Sequence, residues 1–175
     1  MGYGYFYIVL FHNLTIVSDL HRRGCTRTSF EFAKLLYSLD PWTDPHGSLL
    51  HLDGLALKAG MHEWILDVWE YFETDKDGFE GRLTPAVLPG WWYARALAMK
   101  IREDLTMSQA SSITCLCPAH CHLLDFQEHA LSTQAFMAAV LRFPSLLPLL
   151  ADRVDVSLPA EIRSRPAFKL HVDSS

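Results

Sequence analysis

Within Cys115-Leu-Cys117-Pro-Ala-His120-Cys121-His122, the chain gathers three of its four cysteines beside two histidines, the soft nitrogen and sulfur donors that zinc prefers. Structural zinc sites pair two short ligand knuckles across a longer segment, and here the second knuckle is missing. The cluster therefore reads as an insertion without metal. Glu73-x-Asp75-x-Asp77-Gly78 imitates the opening half of a calcium loop. Its closing position holds Thr84 instead of a bidentate glutamate, and Glu80 stands where such loops are apolar, so an acidic surface turn is expected. Asp53 falls beside Leu49, Leu52 and Ala56 on the inward stripe of its segment. A buried carboxylate must find a partner, and Arg22, Arg23 or Arg27 is the expected one, locking two hairpins together. No nucleophile or second acid accompanies Asp53, and His51, His62 and His129 read as solvated or hydrogen-bonded. The chain has no glycine-rich phosphate loop, no GxSxG and no HExxH. No residue is assigned to catalysis, to a cofactor or to a metal, and no enzyme activity is expected. A small zinc- or thiol-dependent protein built on residues 115–122 is the rival reading.

Composition narrows the classes further. The chain has 175 residues, 50% hydrophobic and 20% charged, enough for one domain with a real core. A net charge of −5 and a pI near 5.9 argue against a general electrostatic grip on nucleic acid. The tightest basic group, His21-Arg22-Arg23, suits the last turn of a helix, opposite its negative end. The apolar run Tyr5 to Phe11 is broken by His12 and Asn13 and is too short to span a membrane. Gly2 lacks the Ser or Thr at position 6 that myristoylation wants, since Phe6 stands there, and the Asn13-Leu14-Thr15 sequon reads as chance. Cys25 sits in a helix-start motif typical of an intracellular domain, so no disulfide is expected.

The elements that must position these residues are helical. Phe32, Leu35, Leu36 and Leu39 fall at i, i+3, i+4 and i+7, with Arg27, Glu31, Lys34 and Ser38 opposite, which predicts one dry face and one wet face. Thr28 and Glu31 have capping-box spacing. Asp40-Pro41 should end this helix, and Asp44 should cap the next one with Pro45 in its first position. Met61, Trp64, Ile65, Val68 and Phe72 form a second stripe, with Glu63, Asp67, Glu70 and Glu73 outside it. Helices are expected over 5–22, 26–39, 46–59, 61–74, 91–103, 128–142 and 145–152. Gly24 and Gly60 stand just past helix ends, in the usual left-handed cap position. Counting back from Pro144, Ser132, Phe136 and Ala139 repeat the small, aromatic, small order of a tetratricopeptide hairpin. Ser29, Ala33 and Leu36 stand at the same offsets from Pro41. The expected fold is all-α: stacked antiparallel hairpins in a degenerate tetratricopeptide-like α-solenoid, with a plain helical bundle as its rival. The expected divisions are 1–103 as core hairpins, 104–127 as a loop or insertion, and 128–175 as a terminal hairpin and tail. Trp91 and Trp92, with Tyr93, either fill the seam between hairpins or anchor a partner. Together with Glu63, Asp67 and Glu70 they make the candidate partner surface.

The order Arg22-Arg23-Gly24-Cys25, an aromatic-rich helix ending in Ser-Leu-Asp40-Pro41, then Asp44-Pro45 and Leu-Asp53-Gly-Leu-Ala-Leu, resembles the signature of the transcription factor 25 family. Weaker agreement continues through 62–72, 88–100 and 130–154, whereas 1–20 match loosely and 104–127 depart from the pattern, as a lineage insertion or a wrongly joined gene model would. The resemblance implies an internal fragment of a non-enzymatic scaffold that supports ubiquitin-dependent clearance of stalled nascent chains. Its implied partners are the large ribosomal subunit and a ubiquitin ligase, with no direct nucleic-acid or membrane binding. Location would be cytoplasmic, or also nuclear, since the family includes transcriptional repressors.

Overall fold

Thr26–Leu39 form the first helix, α1, entered through Gly24 at φ +81° and ended at Asp40, whose backbone leaves the helical region before Pro41. The structure, a computed structural model, describes residues 22–74, 82–112 and 131–169. The expected helix over 5–22 lies outside these, apart from Arg22. The capping box does not form. The helix starts after Cys25, which places Thr28 and Glu31 already inside it, and Glu31 pairs instead with Lys34 at 2.7 Å. At the other end, the Asp40 carboxylate accepts the backbone N–H of Thr43 at 3.1 Å and its hydroxyl at 2.5 Å, closing the corner.

The dry face of α1 differs from the one its periodicity predicts. Ser29, Phe30, Ala33 and Leu36 are buried, whereas Phe32, Leu35 and Leu39 are exposed, Leu35 by 54%. Only Leu36 belongs to both stripes. Ser29 and Ala33 are small enough to let the backbone of α1 approach its neighbours, and Phe30 reaches Trp64 edge to face at 4.8 Å. Counting apolar side chains alone puts weight on the bulky ones and overlooks this seat.

The second helix, α2, spans Leu49–Lys58, starting three residues later than expected. Asp44 does cap it, but from a distance: its carboxylate accepts the N–H groups of Ser48 at 2.8 Å and Leu49 at 2.9 Å. Because Asp44 adopts φ +36°, the chain makes a turn through Pro45 and His46 before the helix begins, and Pro45 is not its first residue. The far end closes as expected. Gly60 adopts φ +73°, Met61 N–H donates to Ala56 O at 2.8 Å, and Gly60 N–H donates to Leu57 O at 3.1 Å, the paired bonds of a Schellman motif.

Helix α3, His62–Thr74, follows at once, and a 3-10 turn at Pro85–Val87 leads into the long helix α4, Pro89–Ser112. Pro89 holds the first position, where a missing N–H costs nothing. The helix runs nine residues beyond the expected end at 103, so the stretch set apart as a loop begins as helix. Helix α1 packs on α2, α3 on α4, and α2 on α4, so two hairpins meet along the α2–α4 seam. Phe30, Leu49, Leu52, Ile65, Trp69 and Trp91 dominate the shared core. Trp91 is 0% exposed, and its indole N–H donates to Leu49 O at 2.8 Å.

Residues 131–142 form α5, joined by a short turn to α6, Leu146–Arg153. Glu103, only 5% exposed, accepts the backbone N–H of Ser132 at 3.0 Å and its hydroxyl at 2.6 Å, tying α5 to α4. Ser132 and Ala139 are buried, as are Ser29, Ala33 and Leu36, so every repeat position except Phe136 faces the packing. Phe136 stays exposed and stacks edge-on against Tyr93. A short helix, α7 at Ala160–Ser164, and a 3-10 turn at Pro166–Phe168 occupy the expected tail, held by an Arg163–Asp152 pair. The described residues contain no strand, and the fold is all-α, consistent with a tetratricopeptide-like solenoid. Among them, no helix is long and apolar enough to cross a membrane.

Trp91 sets a quantitative expectation. Trp91→Ala should cost about 3–5 kcal/mol and Trp91→Phe, which removes the indole donor and one ring, about 1–2 kcal/mol, read from urea unfolding midpoints with unchanged slope.

Candidate functional site

In α2 the sequence Leu52-Asp53-Gly54-Leu55-Ala56 puts a carboxylate between three buried apolar residues, and Asp53 is left 9% exposed. The expected ion pair is absent. Arg22, Arg23 and Arg27 are exposed, and no cation among the described residues pairs with Asp53. Those arginines precede or open α1, and their long side chains stay in solvent. Backbone donors of its own helix serve Asp53 instead, with Gly54 N–H donating to Oδ1 at 2.7 Å. Burial, opposed only by these bonds and the more distant His51, pushes its pKa above the ordinary carboxylate value.

Gly90, in the first turn of α4, packs directly on this carboxylate. A Cβ built there would lie 2.2 Å from Asp53 Oδ2, a distance no real pair of atoms tolerates. The carboxylate thus sits at the N-terminal end of a 24-residue helix, where the macrodipole is positive. Beside the pair opens a groove of about 350 Å³, walled by Leu57 from α2, Ala94 and Leu97 from α4, and Leu146, Leu149 and Arg153 from α6. Nearly all of its lining is apolar.

The other expected site residues disperse. Glu63, Asp67 and Glu70 share the exposed side of α3, and Glu63 lies 3.9 Å from Arg102. Trp91 is fully buried and cannot touch a partner, so its place in the expected surface is corrected to the core. Trp92 is half-buried, donates to Ala86 O at 2.8 Å, and stacks between Trp69 and Phe143. Sequence reasoning missed Trp69, which is buried on α3, and Glu103, whose role depends on a residue beyond the 104–127 stretch. The 115–122 cluster and the acidic turn from Asp75 to Gly78 lie outside the described residues. Among the residues that are described, no group of three His, Cys, Asp or Glu could hold a metal ion.

Comparison with known proteins gives this arrangement a family. The family model described as "Transcriptional repressor TCF25" matches residues 5–175. The chain belongs to the TCF25 family. That match runs from near the start of the loosely similar segment through 104–127, both of which the sequence had set apart. Relatives include "Probable transcription factor claV" of Ampulloclitocybe clavipes, 51% identical over 90% of this chain and 18% of the relative. "Ribosome quality control complex subunit TCF25" of Mus musculus is 36% identical over 93% of the chain and 21% of its own length. "Ribosome quality control complex subunit 1" of Schizosaccharomyces pombe is 35% identical over 55% of the chain and 14% of its length. The chain therefore spans about a fifth of the TCF25 relatives it matches along most of its length. No solved structure matches it.

The Gly90–Asp53 contact generates its own test. Gly90→Ala should lower stability by about 2 kcal/mol or more through overpacking, and Asp53→Ala in the same chain should restore most of the loss. A double-mutant cycle by thermal unfolding reads this coupling; independent, additive effects would contradict the contact.

Proposed function

We propose that this chain is a non-enzymatic protein-interaction scaffold within a transcriptional regulator of the TCF25 family. The observation that carries the reading is the 51% identity along most of the chain to a protein named as a transcription factor. Its acidic balance and scattered basic residues favour action through proteins over a direct grip on DNA. Glu63, Asp67 and Glu70 supply an exposed acidic face for such a contact, and the Arg22-Arg23-Gly24-Cys25, Asp40-Pro41 and Asp44-Pro45 corners hold the hairpins that present it.

Four relatives named as ribosome quality control subunits favour a second reading. In it the same scaffold works in the cytoplasm on the large ribosomal subunit, supporting ubiquitination of stalled nascent chains by a partner ligase. Affinity capture of the complete gene product from separated nuclear and ribosomal fractions distinguishes the two. Recovery with chromatin proteins from the nuclear fraction supports the first; co-sedimentation with large subunits and a ubiquitin ligase supports the second. Replacing Glu63, Asp67 and Glu70 together with lysine should reduce partner recovery at least several-fold while helicity stays unchanged. Undiminished recovery would remove the acidic face from the account.

A further inference from the structure

Where the end of α3 meets the start of α4, a second pocket of about 270 Å³ opens among aromatic rings. Trp69, Phe72 and Glu73 stand at i, i+3 and i+4 near the end of α3 and so share one of its faces. Opposite them are Trp92, from the first turn of α4, and Pro85 from the 3-10 turn. The two tryptophan rings meet at 81°, with centroids 5.0 Å apart, but their N–H groups fare differently. Trp92 donates to Ala86 O at 2.8 Å, whereas the indole N–H of Trp69, a residue only 4% exposed, finds no acceptor among the described residues. A buried donor left unpaired costs free energy, and buried tryptophans usually find a partner. The Trp69 ring already has a cation, since the Arg95 guanidinium lies 4.8 Å from its centroid, so what the residue lacks is an acceptor.

We infer that this pocket is a docking site for a proline-rich segment of a partner protein, which packs a proline ring against the aromatic walls and brings a backbone carbonyl to Trp69 Nε1. A polyproline backbone makes no internal hydrogen bonds, so its carbonyls arrive as free acceptors, and proline has no N–H for the pocket to leave unpaired. A partner helix would arrive with its carbonyls already paired, and a partner strand finds no sheet edge among the described residues. Glu73 adds an exposed carboxylate to the lining, which favours a basic residue beside the prolines over an acidic one. The inference deepens the scaffold reading and rests on it for the partner being a protein. Its probe is synthetic, so failure here leaves that reading to be judged by affinity capture.

The probe is a short capped synthetic peptide of alternating prolines with one arginine; its control has alanine in place of every proline. Added to the complete chain, the proline peptide should bind about tenfold or more tightly than the control, and the indole N–H resonance of Trp69 should move downfield along the same saturation curve. Trp69→Phe, with its helicity checked by circular dichroism, should remove most of that preference. Glu73→Lys, on the surface, should weaken the arginine-bearing peptide several-fold and leave an arginine-free version unchanged. Equal binding of peptide and control, no saturable binding by the folded chain, or a preference kept in the Trp69→Phe protein would each overturn the inference. If the Trp69→Phe chain does not fold, the unmodified protein decides: an indole resonance of Trp69 that stays in place while the peptide binds overturns the site. Tighter binding of a trimethyl-lysine peptide at the same residues would assign the rings to a cation and likewise overturn it.

Discussion

Where α4 meets α2, backbone comes nearly into contact with side chain: Gly90 leaves no room for a methyl group against Asp53, and Trp91 drives its indole down to Leu49 O. These adjacent residues fix both the separation and the rotation of the two helices. Trp64 then fills the space between Phe30 and Trp91, with ring centroids at 4.8 and 6.0 Å, so α1 and α3 are positioned from the same point. A bulkier residue at 90 would lift α4, and a smaller one at 91 would empty the centre of the core. The first turn of α4 is thus the join between hairpins.

The groove is a consequence of that join. Small residues at Gly54, Gly90 and Ala94 let the helices approach, and they leave side-chain volume missing along one side of the seam. Helix α6 then lays Leu146, Leu149 and Arg153 across the opening without filling it. Further along α4, Glu103 fastens α5 through two bonds to Ser132, while the Tyr93 hydroxyl donates to Phe143 O at 3.0 Å. The third hairpin is thus held to α4 by these polar contacts together with the Tyr93–Phe136 and Trp92–Phe143 ring contacts.

Much of this frame was legible in the sequence. The ends of α1 and α2 follow from Asp40-Pro41 and Gly60, whose backbone requirements are local, and the all-α class follows from periodicity. The inward face of α1 was misread because close helix packing selects small residues as well as large ones, and Ser29 and Ala33 carry little hydrophobic signal. The start of α2 was misplaced because Asp44 caps across a turn, a geometry that its spacing to Leu49 does not announce. Asp53 was correctly expected to be buried, but among the described residues the backbone N–H of Gly54, and not an arginine, serves its carboxylate. Gly90 and Glu103 were invisible for a common reason, since each acts through a residue distant in sequence. Family resemblance was legible in the corners Arg22 to Asp53, whereas the choice between nuclear and ribosomal work depends on partners that these residues do not name.

The most direct test is the titration of the Asp53 carboxyl carbon, followed by nuclear magnetic resonance in the folded chain. A carboxyl buried against Gly90, with desolvation outweighing its backbone N–H donors, should titrate above the ordinary value of 3.8. Titration at or below that value would mean that a cation or solvent reaches it, and would contradict the closed α2–α4 junction on which both the fold and the groove depend.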